Sequence, residues 1–298
     1  MSAVLLPFTD EGSPDLATLG RLVERTVGHG LVPAVNMDTG YGNLLTPEQR
    51  RSVLEVARTA AGDAMLVAGA WVDDRPGAPW DRDAQARAID EVLTFGAVPV
   101  SFPNHGLKGL GNDALVDAHR WIGERCDRFI AFELGEVFSP AGRIWDLDTY
   151  RAIMAVPACI GAKHSSLHRA PEWDRLRARD AERPGFLVLT GNDLAIDMVV
   201  YGSDYLLGLS AFAPDLFARR DAAWAAGDPE FHELNDDLQA LGSFSFRAPV
   251  PAYKHDAARF LHLRGWIPSS AVHPAAPTRP DADDAVLGAL LTRLERWA

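Results

Sequence analysis

A lysine stands at the end of a run of small apolar residues, Ala158–Ala162, which is typical of a buried strand. The amine of Lys163 would then lie at the carboxyl end of that strand, where burial lowers the pKa of a lysine. An uncharged amine attacks carbonyl carbons and forms a Schiff base. From its position alone, Lys163 is more simply explained as a strand-end lysine paired with a carboxylate, so the rest of the sequence must decide.

Other groups that can bind a substrate or move protons also follow apolar runs. They are Glu133, His105 and the segments Asn36–Gly42, Thr190–Asp193 and Gly208–Ala211. Carboxyl and imidazole groups serve as general acids and bases, although His105 is more simply a loop histidine. No plausible helix face carries His-x-x-x-His, and no G-x-G-x-x-G phosphate loop occurs, so we expect neither a metal nor a cofactor.

The elements that must position these groups are short apolar runs that alternate with helical patterns. About eight such units predict parallel strands in a barrel or a doubly wound sheet. One helix has a clear start, since Thr46 can cap it, Pro47 suits its first turn and Gln49 completes a capping box. The predicted strands cover residues 3–7, 31–35, 65–68, 97–100, 129–132, 158–162, 186–190 and 204–209.

The strand signals stop after residue 226, and only helical patterns follow, over 228–241, 252–263 and 281–297. We therefore predict a βα domain over residues 1–226 and a helical region over 227–298. If the sheet closes into a barrel, its active site lies at the carboxyl ends of the strands, where Lys163 and the segments named above would be placed.

The composition excludes several classes of protein. The chain has 298 residues and a formal net charge of −12, and an acidic surface repels the phosphate backbone of nucleic acids. Its two cysteines form no C-x-x-C pair. The first residues lack the basic start of a signal peptide, and no apolar run reaches the roughly 18 residues of a membrane span. We expect a cytoplasmic protein with neither nucleic-acid nor membrane partners.

An ordered set of motifs resembles the dihydrodipicolinate synthase / N-acetylneuraminate lyase superfamily of class I aldolases, essentially from end to end. This resemblance implies a (β/α)₈ TIM barrel with a C-terminal helical appendage. The matching segments are Pro7–Ser13, Asp38–Gly40 with Leu45–Glu48, Ile160–Ser166, Leu189–Asp193, and Gly202–Asp204 followed by Pro214 and Gly227-Asp228.

The resemblance also implies roles for individual residues. Lys163 would form the Schiff base, and Thr39 and Gly40 would hold the carboxylate of the substrate. Gly191 and Leu209 would line the substrate-binding site, each following a predicted strand.

Several positions depart from the family pattern. Phe132 stands where the family has a proton-shuttling tyrosine, and Ser101 or Phe102 stands where the synthase branch has another. Asp38 replaces a small hydroxyl residue, and its carboxylate would repel that of the substrate unless it is protonated or turned away. Arg143 is the nearest candidate for the arginine that binds a second substrate.

The missing phenol leaves the acid–base group open. Tyr41 is one candidate, and a rim aromatic that packs on the next loop is its alternative interpretation. Glu133 is another candidate. His164 should face away from the barrel mouth and be structural, because neighbouring strand residues alternate between faces.

The sequence thus predicts a Schiff-base lyase, aldolase or dehydratase acting on pyruvate or a related 2-keto acid. The alternative is a catalytically impaired barrel that binds a keto acid as a sensor or scaffold. The resemblance also implies a homo-oligomer, either a tetramer or a dimer.

Overall fold

Eight parallel strands form one sheet in chain order, and a bridge between Ser2 and Leu207, just after the last strand, brings its two ends together. The computed structural model describes residues 1–297. The predicted (β/α)₈ barrel is confirmed, with additional C-terminal helices. The strands are β1 (Ser2–Ala3), β2 (Pro33–Val35), β3 (Val67–Ala70), β4 (Val98–Ser101), β5 (Phe129–Leu134), β6 (Cys159–Ser165), β7 (Leu187–Thr190) and β8 (Asp204–Tyr205).

Helices follow most of the strands, and three more lie near the C-terminus. They are α1 (Leu16–Gly28), α2 (Pro47–Ala61), α3 (Arg82–Thr94), α4 (His105–Lys108), α5 (Asn112–Gly123), α6 (Leu147–Met154), α7 (Arg169–Glu182), α8 (Pro214–Ala226), α9 (Glu230–Ser245), α10 (Tyr253–Leu263) and α11 (Asp283–Glu295). No helix within residues 1–297 is both long enough and apolar enough to cross a membrane.

Local sequence signals set the helix boundaries. The capping box at the start of α2 is confirmed, because the Thr46 hydroxyl accepts from the Gln49 N–H and the Gln49 side chain accepts from the Thr46 N–H. Between β7 and β8, where the alternation of strands and helices predicts an α-helix, the chain forms a 3₁₀ segment, Ile196–Tyr201. The carboxylate of Asp193 accepts the N–H of Leu209 at 2.7 Å.

The chain divides into two compact units. Unit 1 consists of residues 1–66, 193–197 and 207–298, and unit 2 consists of residues 67–192 and 198–206. In unit 1, α9 and α10 both pack on α11, and α8 packs on α9. The boundary expected at residue 226 remains a prediction.

Unit 2 contains β3–β8, and the pairing of β5 with β6 determines what its central residues face. Phe132 pairs with Lys163, and Glu133 pairs with His164. Because consecutive strand residues point to opposite faces, the first pair lies on one side of the sheet and the second pair on the other. The strands approach closely at Gly161, where an added Cβ would lie 2.8 Å from the carbonyl oxygen of Leu187.

Candidate active site

Lys163 lies on β6 against an aromatic ring of the neighbouring strand. Its Nζ is 4.6 Å from the centroid of the Phe132 ring. The Phe132 side chain is buried, and Lys163 is half-buried. The ring presents its π-face to the amine. The neighbour that β5 provides is therefore an apolar surface.

This surface extends across two more strands as a row of rings that we call the aromatic ladder: Trp71, Phe102 and Phe132. Trp71 stacks on Phe102 with ring centroids 3.8 Å apart and planes 26° apart. Phe102 meets Phe132 edge to face, with centroids 5.1 Å apart and planes 87° apart. Both are favourable aromatic geometries. The ladder therefore forms a continuous apolar wall that ends beside Lys163.

Gly191, just after β7, makes room for Lys163. Its N–H donates to the carbonyl oxygen of His164 at 2.8 Å, which holds it beside β6. An added Cβ would lie 2.7 Å from Cε of Lys163 and would collide with Oγ of Ser165. The predicted substrate-binding role of Gly191 stays a prediction, and its lack of a side chain lets the lysine occupy its observed position.

The opposite face of β5 and β6 carries a buried ionic network around Glu133, whose catalytic role stays a prediction. The carboxylate of Glu133 is fully buried and accepts from Nε and Nη2 of Arg175 at 2.8 and 3.0 Å. It also accepts from Nδ1 of His164 at 2.5 Å and from the Trp145 N–H at 3.0 Å. Glu133 thus faces the helix layer and not the side of the sheet that holds Lys163.

The same network lowers the pKa of Glu133 and anchors the chain at the end of β6. Burial acts to raise the pKa of the Glu133 carboxyl, but its bonds to His164 and Arg175 prevail, and the pKa lies below its usual value. Nε2 of His164 lies 2.8 Å from Oγ of Ser166, which donates to the carbonyl oxygen of His168. His164 therefore anchors the chain after β6, in agreement with the alternation of strand residues.

Arg143 lines a narrow cavity with Phe132, Ser101 and Trp145. Its Nη1 donates to the carbonyl oxygen of Leu110 at 2.7 Å, and its Nη2 donates to Oδ1 of Asn112. The cavity has a volume of about 20 Å³, enough for one water molecule. The substrate-binding role of Arg143 stays a prediction, and each of its terminal nitrogens donates a hydrogen bond to another residue of the protein.

In unit 1, the 3₁₀ segment Asp38–Gly40 is bound by the first residues of α10. The Tyr253 hydroxyl donates to Oδ2 of Asp38 at 3.0 Å and lies 2.9 Å from Oγ1 of Thr39. Nζ of Lys254 donates to Oδ1 of Asp38 at 3.0 Å. The Asp38 carboxylate is thus turned onto a lysine and a phenol of its own unit, which compensates its charge.

Tyr253 and Lys254 are polar residues that the sequence did not single out. Both are buried. Burial, followed by the nearby Asp38 carboxylate, raises the pKa of the Tyr253 phenol well above its usual value, so this hydroxyl stays protonated. The only sequence signal was the start of a helix in the C-terminal region, and no motif links that helix to Asp38.

Tyr41 packs within unit 1. Its backbone is left-handed, with φ 58°, and its ring meets Phe8 edge to face and stacks on His273. The side chain is fully buried, and its hydroxyl has no hydrogen-bond partner among residues 1–297. Burial also raises the pKa of this phenol. These surroundings favour the packing interpretation, and the proton-shuttle role of Tyr41 stays a prediction.

Leu209 is fully buried in the 3₁₀ segment Leu209–Ala211 of unit 1, and its predicted contact with a substrate is likewise untested. Within the part of the chain that the structure describes, no group of three or more His, Cys, Asp or Glu side chains is placed to hold a metal ion.

Curated proteins similar to this chain share one name. The 4-hydroxy-tetrahydrodipicolinate synthase of Laribacter hongkongensis is 26% identical over 259 residues, which cover 84% of each chain. The enzyme of the same name from Chlorobaculum parvum is 25% identical over 305 residues, covering 98% of this chain and 95% of its own. No protein-family model matches the chain.

Solved structures show the same fold. Dihydrodipicolinate synthase from Thermotoga maritima aligns with a TM-score of 0.81 at 18% identity, covering 99% of this chain and 97% of its own. A prophage protein of the dihydrodipicolinic acid synthase family from E. coli K12, in complex with pyruvate, aligns with a TM-score of 0.83 at 16% identity, covering 99% and 98%.

The structural likeness extends over nearly the whole chain, as do the ordered motifs, and the curated relatives all carry the synthase name. The ordered motifs and these comparisons together support the assignment of this chain to the dihydrodipicolinate synthase / N-acetylneuraminate lyase superfamily.

Proposed function

We propose that this protein is a class I lyase in which Lys163 forms a Schiff base with pyruvate or a related 2-keto acid. The observation that carries the proposal is the position of Lys163 on β6, with its amine held over the face of the Phe132 ring. Apolar surroundings disfavour a charged amine, and the uncharged amine is the nucleophile that Schiff-base chemistry requires. The pyruvate complex of a structural neighbour suggests the substrate class.

The chemistry follows from the amine. Nζ of Lys163 adds to the ketone carbon, water leaves, and the resulting iminium withdraws electrons from the adjacent carbon. Loss of a proton from that carbon gives an enamine, which forms a bond to an aldehyde carbon. The reverse sequence cleaves that bond. Phe132 carries no exchangeable proton, so it shapes the space beside the amine and does not relay protons.

The remaining roles belong to the same proposal. Thr39 and Gly40 stay the residues that the resemblance assigns to the carboxylate of the substrate. The compensation of the Asp38 charge by Lys254 supports this assignment, because it weakens the repulsion that a carboxylate there would exert. The homo-oligomeric state and the cytoplasmic location stay predictions. Likeness to synthases gives no support to a non-catalytic sensor.

The test is trapping with borohydride, and the chain suits it because it has only three lysines, Lys108, Lys163 and Lys254. We expect one reduced pyruvyl group per chain by intact mass, placed on Lys163 by peptide mapping. The adduct should be lost in Lys163→Ala and kept in Lys108→Ala, whose parent side chain is tied to Glu136 and the carbonyl of Pro140. No adduct, or one that persists in Lys163→Ala, would reject the proposal.

A further inference from the structure

We infer that the aromatic ladder selects the second substrate, and that this substrate is an aldehyde with an apolar, flat substituent such as a phenyl group. The inference rests on the proposed Schiff-base function. It names the substrate class that the surroundings of Lys163 in unit 2 accept best.

The ladder is placed by strand register. Ala70 of β3 pairs with Ser101 of β4, and the rings of Trp71 and Phe102 come directly after these two residues. Phe132 of β5 pairs with Lys163 of β6. Three rings and the amine thus come from four consecutive strands, at the carboxyl ends where TIM-barrel enzymes bind their substrates.

The ladder is graded in exposure. Phe102 and Phe132 are buried, whereas Trp71 at the far end is half-exposed. A substituent attached to the carbon that bonds to the enamine would therefore meet ring surface as it extends away from Lys163. An apolar group gains about 25 cal/mol per Å² of surface removed from water, while a hydroxyl or carboxylate placed there loses hydration without a partner.

The nearest cationic candidate for an acidic second substrate is already engaged. Arg143 shares its cavity with Phe132, and its two terminal nitrogens donate to Leu110 and Asn112. These two bonds fix the guanidinium against its neighbours and leave only part of its five N–H donors for a carboxylate. An aromatic aldehyde needs no such partner and gains its contacts from the rings themselves.

The reaction balances without a further reagent. The enamine carbon bonds to the aldehyde carbon, the aldehyde oxygen takes up the proton that the keto acid lost, and water releases the product from the lysine. Pyruvate and benzaldehyde thus give 4-hydroxy-2-keto-4-phenylbutanoate, and cleavage of this product returns both.

The experiment measures kcat/KM for condensation of pyruvate with benzaldehyde, glyceraldehyde and succinic semialdehyde. We expect benzaldehyde to be preferred by about tenfold or more, the scale that hydrophobic contacts reach in enzyme specificity. Trp71→Ala and Phe102→Leu should reduce this preference several-fold, because kcat/KM should fall more for benzaldehyde than for glyceraldehyde. Trp224→Ala, which removes an exposed tryptophan of unit 1, should change neither rate.

A separate readout distinguishes the two proposals. Deuterium exchange at the methyl group of pyruvate reports the enamine without any aldehyde. Exchange together with a preference for glyceraldehyde or the semialdehyde, or a benzaldehyde preference that survives both ladder variants, overturns this inference and leaves the Schiff base standing. The absence of both exchange and trapping overturns the proposed function, and this inference falls with it.

Discussion

The two faces of β6 treat adjacent residues in opposite ways. On one face, the buried Glu133 carboxylate pairs with the Arg175 guanidinium and is also bound by His164. On the other, the amine of Lys163 lies over an aromatic ring. The first arrangement stabilises both charged partners, so it holds the strand in place. The second places the amine against an aromatic ring, where we propose that it acts as a nucleophile. Burial of polar groups near a barrel mouth therefore does not by itself indicate catalysis.

The sharpest way to break this comparison is to remove the amine from the Lys163 face. Lys163→Met keeps the length of the side chain and removes the nucleophile, so we expect kcat/KM to fall at least about 10³-fold. Because an apolar side chain suits the wall of rings, the free energy of unfolding should stay within about 1 kcal/mol. Steady-state kinetics and urea titration check the two halves, and a large loss of stability would contradict the contrast between the faces.

The matched change on the other face is Arg175→Met. It leaves the buried Glu133 carboxylate without its bidentate partner, and breaking a buried pair from one side costs about 3–5 kcal/mol. Urea titration should show this loss. Arg177→Met, on the exposed side of the same helix, should cost less than about 1 kcal/mol, because exposed ion pairs contribute little. Equal effects of the two variants would mean that the network is not a stabilising element.

Gly191→Ala tests how closely the Lys163 face is fitted. The new Cβ would press on Cε of Lys163, and a displacement of about 1 Å at a reacting group costs roughly 10²-fold in rate. We expect kcat/KM to fall by that factor. Gly185→Ala, where an added Cβ meets nothing within 4 Å, should leave the rate unchanged. A wild-type rate in Gly191→Ala would show that the lysine tolerates this movement.

Phe132→Tyr sharpens the comparison by adding an exchangeable proton to the apolar face. Phe132 borders a cavity that holds about one water molecule, so a phenolic oxygen has room. General acid–base groups contribute about 10²–10⁴-fold when well placed. We expect a more modest gain of about tenfold in the deuterium exchange of pyruvate, measured by NMR. An unchanged exchange rate would show that proton transfer is not limited by the missing hydroxyl.

The sequence was sufficient for the architecture because each apolar run is local and each is buried. The predicted strand over residues 129–132 leaves Glu133 in the loop that follows, whereas β5 continues to Leu134. Because side chains alternate between the two faces of a strand, Glu133 points to the face opposite that of Phe132. A strand boundary displaced by two residues is thus enough to move a side chain from a predicted site into the helix layer.

Tyr253 and Lys254 were beyond reach for a different reason. Their contacts with Asp38 join positions 215 and 216 residues apart, and no local pattern encodes such a pairing. The sequence predicts only that the Asp38 carboxylate must be protonated or turned away to avoid repelling the carboxylate of the substrate. The fold of unit 1 brings the side chains of Tyr253 and Lys254 into contact with this carboxylate.

The smallest expected effect concerns acid and again separates the two faces. Because the pKa of Glu133 in the folded protein lies below the unfolded value of about 4.5, its network contributes stability at higher pH. That contribution should decline as the pH falls below 4.5 and be lost through the folded pKa. Urea midpoints measured across this range should fall less steeply with acid in Glu133→Gln, because glutamine binds no proton there. In the control Glu55→Gln, on the exposed side of α2, the midpoints should fall as steeply as in the wild-type protein. If the urea midpoint fell equally steeply with acid in all three proteins, protonation of Glu133 would not contribute to the acid response.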